Sequence, residues 1–132
     1  MDQTAYGFGQ RVALPYEQAV GRTKEALKAE GFGILTEIDV RKTMKDKLDV
    51  DFRPYVILGA CNPPLAYKAL QAEADVGLLL PCNVVVQEDG GGARVTAMDP
   101  EAALGIVQSE ALRQVATEAK TRLQRAMAAI SA

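Results

Sequence analysis

Two apolar runs of strand length, separated by a helix-length segment, constrain the fold of this chain more than any other feature. The first run covers residues 55–60 and ends at Cys61-Asn62, and the second covers residues 78–86 and contains Cys82-Asn83. A continuous apolar run predicts a strand that is central in a sheet or covered on both faces. If the helix between them returns the chain to the same sheet, the two Cys-Asn pairs lie at neighbouring strand ends.

Turn and capping residues divide the rest of the chain into alternating strands and helices. Pro15 and Gly31 suit the start and the end of a first helix, and Asp39 suits the start of a second, shorter one. Proline cannot donate into a sheet ladder, so we expect a bend or bulge at Pro81. Strands are predicted at residues 6–14, 32–40, 55–60, 78–86 and 93–98, with a tight turn at residues 89–92.

This order of elements predicts an α+β fold. Two β-α-β units, residues 6–40 and 55–86, are followed by a C-terminal hairpin and a long final helix. The expected architecture is a two-layer sandwich, in which helices cover one face of a largely antiparallel, twisted sheet. We expect a single domain over residues 1–132, because the length fits one domain and no linker is visible.

Two helices of this fold carry clear apolar stripes. The third helix is expected to begin after Asn62, with prolines in its first turn, and to bury Leu65, Ala66, Ala69 and Leu70. The final helical region is expected to begin after Asp99. Its long stripe covers the core and consists of Leu112, Val115, Ala119, Leu123, Ala126 and Ile130.

Composition excludes several classes of function. The chain has no histidine, which removes Ser-His and Cys-His nucleophile pairs and every zinc site that contains histidine. Its net charge of -2 offers no basic field for a phosphate backbone, so we expect no nucleic-acid partner. The glycines at residues 90–92 lack the Gly-Lys-Ser/Thr ending of a phosphate loop, and a hairpin turn is the better interpretation.

The expected location is the cytoplasm. Residues 1–6 lack the basic and apolar regions of a signal peptide, and no apolar run approaches the roughly 18 residues that suggest a membrane span. We therefore expect a soluble protein with no membrane partner, in which Cys61 and Cys82 are reduced thiols. Two cysteines are also too few for a four-ligand metal site within one chain.

The two Cys-Asn motifs supply the candidate ligand-binding residues, which are Cys61, Asn62, Pro63, Cys82 and Asn83. Cys61 stands between a buried strand and a helix N-terminus, where backbone N–H groups and the helix dipole favour a thiolate. The competing interpretation is that both cysteines are small buried hydrophobes and that Asn62 only caps a helix. Cys61 and Cys82 are the only candidate metal ligands.

Three motifs, in this order, resemble the domain-of-unknown-function family 302. They are Arg53-Pro-Tyr-Val-Ile-Leu-Gly-Ala-Cys61-Asn-Pro, then Gly77-Leu-Leu-Leu-Pro-Cys82-Asn-Val-Val-Val86, then Met98-Asp-Pro100. The resemblance covers nearly the whole chain. It implies a small bacterial or archaeal α+β protein that is commonly a dimer, and it supplies no activity.

These observations favour a non-catalytic homodimer that binds a small molecule or a partner protein in a cleft near the two Cys-Asn motifs. No complete catalytic motif is present, and the sequence identifies no cofactor. The alternative is a thiol site for redox chemistry or for a soft metal. It needs Cys61 and Cys82 within disulfide reach, with Cα atoms roughly 4.4–6.8 Å apart, or arranged to bind copper(I) or a zinc ion shared across a dimer. Against it, the spacing is not Cys-x-x-Cys, and no lysine or histidine adjoins either thiol.

Overall fold

A six-stranded antiparallel sheet forms the centre of the computed structural model, which describes residues 1–130. The strands are β1 (Asp2–Gln3), β2 (Gly7–Val12), β3 (Gly33–Asp39), β4 (Tyr55–Cys61), β5 (Cys82–Asp89) and β6 (Gly92–Met98), and they lie in the order β1-β2-β6-β5-β4-β3. The helices are α1 (Tyr16–Ala29), α2 (Val40–Leu48), α3 (Pro63–Ala72), α4 (Pro100–Leu104) and α5 (Glu110–Ala129), with a 3₁₀ helix at Ala74–Leu79. The predicted α+β class and antiparallel sheet are confirmed.

The main core lies between one face of the sheet and helices α1 and α5. Alternate residues of the central strands point to this face, as the period of two along a strand requires. Leu58 and Val84 are fully buried there against Leu27 of α1 and Leu123 of α5. The cluster excludes water from the inner face of β2, β4, β5 and β6.

A second, smaller apolar cluster lies between α3, α4 and the first half of α5. Its buried members are Leu65, Ala69, Val76, Leu104, Leu112, Val115, Ala116 and Ala119. Helix α5 therefore contributes to both clusters, with Leu112 to Ala119 in the second and Leu123 to Met127 in the first. Side chains do not completely fill the junction of the two clusters, and a cavity remains there.

Local capping residues begin the helices where the sequence predicts. The Asp39 side chain accepts a hydrogen bond from Lys42 N at 2.9 Å at the start of α2. The Asn62 Oδ1 atom accepts from Leu65 N at 3.2 Å at the start of α3. Gly31, just beyond α1, has a φ of +84°, a left-handed conformation that favours glycine.

The prediction of an extended segment over residues 78–86 is wrong for its first residues. Leu78 and Leu79 lie in the 3₁₀ helix, and β5 begins only at Cys82. The physical reason is Pro81, which has no N–H to donate, so sheet pairing starts after it. Cys82 is thus the first residue of a strand and does not interrupt one.

The predicted buried stripe of α3 is correct for Leu65 and Ala69, which are buried. Leu70 is 45% exposed, and Ala66 is only partly buried. Both side chains face a cavity that no other element fills, which is why the helical pattern overstates their burial.

A buried ion pair joins α4 to α5. Asp99, only 5% exposed, accepts a hydrogen bond from Glu101 N at 2.9 Å and lies 3.0 Å from Lys120 Nζ. The same Lys120 Nζ lies 3.0 Å from Glu101 Oε1. The hydrogen bonds to Asp99 and then to Glu101 raise the pKa of Lys120, so its charge is held at neutral pH.

We expect Lys120→Met to lower the free energy of unfolding by about 1–3 kcal/mol, because it leaves the buried Asp99 carboxylate without its cation. The matched control is Lys45→Met, since the partners of Lys45 within residues 1–130, Asp49 and Asp51, are both exposed. The control should change stability by no more than about 0.5 kcal/mol. Urea denaturation measures both, and equal effects would contradict a structural role for the buried pair.

Candidate functional site

An apolar cavity of about 310 Å³ lies at the junction of the two core clusters. This volume is at the lower end of the roughly 300–1,000 Å³ of ligand pockets. The end of β4 and the start of β5 form one wall, and α3, α4 and α5 form the others. The lining side chains are hydrocarbon apart from Cys61, Asn62 and Cys82, and none of them carries a charge.

Exposed leucines stand at the mouth of the cavity. Leu35 lines it and is 67% exposed, and Leu70 lines it and is 45% exposed. Leu35 lies at an irregularity of the β3–β4 pairing between Ile34 and Thr36. An extra residue in one strand changes the direction of a side chain, which here brings Leu35 to the cavity. The mouth is therefore an apolar surface in contact with water.

Antiparallel pairing of β4 with β5 brings the two cysteines to the same end of the sheet. Cys82 pairs with Ala60, the residue immediately before Cys61, and both cysteines line the cavity. Each cysteine is partly buried and free of a disulfide. The chain does return to a neighbouring strand after α3, as the sequence suggested.

The thiols are both held in the protonated form. Burial, and to a lesser extent the nearby Cys61, raises the pKa of Cys82 to about 11. Burial also raises the pKa of Cys61 above its ordinary value. The thiolate expected for Cys61 from its place before a helix is therefore wrong.

The first turn of α3 explains why the pKa of Cys61 is raised although the cysteine lies just before a helix. Pro63 and Pro64 have no N–H groups, and the N–H of Leu65 already donates to Asn62 Oδ1. The helix N-terminus consequently has no free backbone donor in its first three residues to stabilise a thiolate, and desolvation decides the pKa.

The five candidate ligand-binding residues divide between three places. Cys61, Asn62 and Cys82 line the cavity. Pro63 is exposed on α3 and is not part of the lining. Asn83 is exposed and lies in a separate, shallow groove with Val85, because consecutive strand residues alternate in direction.

Several lining residues gave no functional signal in the sequence. Phe32, Leu104, Val115 and Ala119 fit ordinary core positions, and only their three-dimensional arrangement leaves space between them. The exposure of Leu70, an apolar residue on a predicted core stripe, is a mismatch that points to the cavity, and it is visible only in the structure.

The donor set limits what metal this region can hold. Within residues 1–130, no three His, Cys, Asp or Glu side chains lie close enough together to bind a metal ion. Zinc takes four ligands in structural sites, so one chain does not supply its set. The two thiols match only the lower coordination number of a soft ion such as copper(I).

Comparisons with known proteins agree with the resemblance drawn from the sequence motifs. A family model described as "Domain of unknown function DUF302" matches residues 8–130. The crystal structure of an uncharacterized conserved protein DUF302 from Bacillus stearothermophilus is 30% identical in sequence, with a TM-score of 0.88. That match covers 96% of this chain and 99% of the other. No curated protein matches the chain.

Among residues 1–130, no helix is both long and apolar enough to cross a bilayer.

We expect both thiols to react slowly with iodoacetamide at pH 7. In Cys61→Ser the remaining Cys82 should still titrate above its ordinary pKa, because burial is the larger cause of its shift and remains after the Cys61 thiol is removed. In Cys82→Ser the remaining Cys61 should also titrate above its ordinary pKa, because burial disfavours the charged form. Alkylation rate against pH measures this. In denaturant, both thiols should return to about pH 8.5. Fast alkylation of either thiol of the folded protein at pH 7 would contradict the burial argument.

Proposed function

We propose that this chain, which belongs to the DUF302 family, is a non-catalytic binding module that takes a small apolar molecule into the cavity between its two core clusters. The observation that carries the proposal is the cavity itself, with its hydrocarbon walls and its leucine mouth. The same place contains the two cysteines and Asn62 that the sequence analysis selected.

Packing energetics support an occupant for this space. Protein interiors are normally filled to the density of organic crystals, and unfilled apolar volume costs stability. Transfer of an apolar molecule from water to this cavity gains about 25 cal/mol for each Å² of apolar surface removed from water. Leu35 and Leu70, which water now contacts, would lose exposed apolar surface on binding.

The chemistry of the lining supports binding rather than catalysis. Its side chains include no carboxylate and no lysine, and the sequence contains no histidine. The two thiols have raised pKa values, so neither is poised as a nucleophile or a base near neutral pH. A ligand would be held by contact with apolar side chains.

The direct test is stabilisation by a neutral apolar probe, 1-decanol, below its solubility limit. At a concentration of 100 times Kd, binding should raise the free energy of unfolding by about 2.7 kcal/mol, read as a rise in Tm. Ala66→Phe should abolish this rise, because Ala66 lines the cavity and is only partly buried.

The matched control is Ala72→Phe, which adds the same ring to an exposed position of α3 outside the cavity lining. It should keep the wild-type response to decanol. If decanol leaves the Tm of the wild-type protein unchanged, or if both variants respond alike, the cavity is not the binding site.

A second candidate function is self-association through the sheet face opposite α1 and α5. Ile38, Ile57, Val85 and Thr96 form one row across β3, β4, β5 and β6, since each is the register partner of the next. All four side chains are at least partly exposed. An apolar row of this kind suits a two-fold interface, in which the same patch meets itself in a second copy.

We expect wild-type protein at micromolar concentration to scatter light with twice the mass of 14.1 kDa. Val85→Glu should return the mass to 14.1 kDa, because it places an unpaired carboxylate inside the interface. Thr121→Glu, on an exposed position of α5, is the control and should remain a dimer. Circular dichroism confirms that each variant is folded, and Ile57→Lys provides a second disruption of the row. A wild-type mass of 14.1 kDa would reject the proposal.

The thiol alternative rests on the convergence of Cys61 and Cys82 on one cavity. Their raised pKa values weigh against it, because both metal binding and thiol exchange use the thiolate. The alkylation profile given above tests its redox form, and the copper content of the purified protein tests its metal form. Rapid alkylation at pH 7, or copper that is lost on substitution of either cysteine, would favour this alternative.

A further inference from the structure

Three alanines stand on the buried side of the cavity, where larger side chains would fill the space. They are Ala60 of β4, Ala69 of α3 and Ala119 of α5, and each is at most 5% exposed. An alanine in a close-packed core is normally covered by the side chains around it. These three come from different elements and border the same unfilled volume, so their small size contributes to the space at the junction of the two clusters.

The two helices that line the cavity repeat one pattern of large and small residues. In α3, Leu65 lines the cavity and Ala69 follows one turn later, and in α5 Val115 is followed one turn later by Ala119. Residues four apart lie on the same face of a helix. The alanines are therefore the positions on these two faces where side-chain volume is missing.

We propose that Ala60, Ala69 and Ala119 determine the length of the ligand, a neutral molecule whose hydrocarbon chain passes the exposed leucines and ends against these alanines. This inference rests on the proposed binding function and adds the residues that set its specificity. The ligand is neutral because no lining side chain carries a charge, and an ionised group would be desolvated there without a partner.

The volume of the cavity gives the approximate size of this chain. At the packing density of protein interiors, about 0.74, a cavity of about 310 Å³ holds roughly 230 Å³ of ligand atoms, which is about a dozen carbon atoms. A side chain that is enlarged on the buried side takes part of this volume, and the ligand must become shorter by a similar number of carbon atoms.

A purely structural role for the alanines predicts a different response to substitution. Small residues also let helices pack closely, and Ala69 and Ala119 lie in two helices that pack against each other. If close packing is their only role, a larger side chain overpacks the core and lowers the Tm of the free protein. If they border free volume, a larger side chain fills it with apolar atoms and raises that Tm.

Straight-chain 1-alkanols from hexanol to dodecanol, each below its solubility limit, measure the chain length that the cavity accepts. For the wild-type protein, each added methylene should tighten Kd about fourfold while it is buried, and this gain should stop at the length that fills the cavity. Thermal-shift titration gives each Kd, because the rise in Tm depends on the ligand concentration relative to Kd.

Three variants fill the buried side of the cavity. Ala69→Leu and Ala119→Leu should stop the gain about three carbon atoms earlier, and Ala60→Val about two earlier, since these are the numbers of carbon atoms added to a space that is otherwise unfilled. Each variant should also raise the Tm of the free protein. Ala111→Leu makes the same change at an exposed position of α5 outside the cavity lining, so it should keep the wild-type limit.

The outcomes distinguish this inference from the function on which it rests. A shortened limit without a fall in Tm assigns the substituted alanine to ligand length. An unchanged limit, a fall in Tm or failure to fold removes that alanine from the assignment, and removal of all three overturns the inference while alkanol binding by the wild-type protein stands. If no alkanol raises the Tm of the wild-type protein, the proposed binding function fails as well.

Discussion

Helix α5 is the element on which the rest of this structure depends, because it packs against both apolar clusters. Leu123 joins the core under the sheet, and Leu112 joins the smaller cluster with α3 and α4. Between these contacts, Lys120 forms the buried ion pair with Asp99 that holds α4 to α5. The cavity lies between the two clusters, and Val115 and Ala119 of α5 form part of its wall.

The cavity has hydrocarbon walls and three polar groups. Two are thiols with raised pKa values, and the third is the Asn62 amide, whose orientation is fixed by the helix cap. Pro63 and Pro64 remove the backbone donors that would favour a thiolate, and burial raises the pKa of Cys61 and Cys82. The capping bond of Asn62, in which Oδ1 accepts from Leu65 N, fixes the orientation of its amide. These features suit the proposed binding of an apolar molecule, because small-molecule pockets are mostly apolar and contain few polar groups.

The proposed ligand site and the proposed self-association surface belong to different faces of the sheet. The cavity lies toward the helices, whereas the row that includes Ile57 and Val85 belongs to the opposite face. Asn83 is on that opposite face, beside Val85, although it adjoins Cys82 in the sequence. Alternation along a strand therefore assigns the two members of one Cys-Asn motif to different surfaces.

The sequence alone determined the element order, the antiparallel α+β architecture, the caps at Asp39 and Asn62 and the position of Cys61 at the end of a strand. These features depend on local periodicity, on backbone chemistry and on the return of the chain after one helix, all of which a sequence displays. Only the tertiary structure decided that Leu70 stays exposed and that the thiols remain protonated, because desolvation depends on segments distant along the chain.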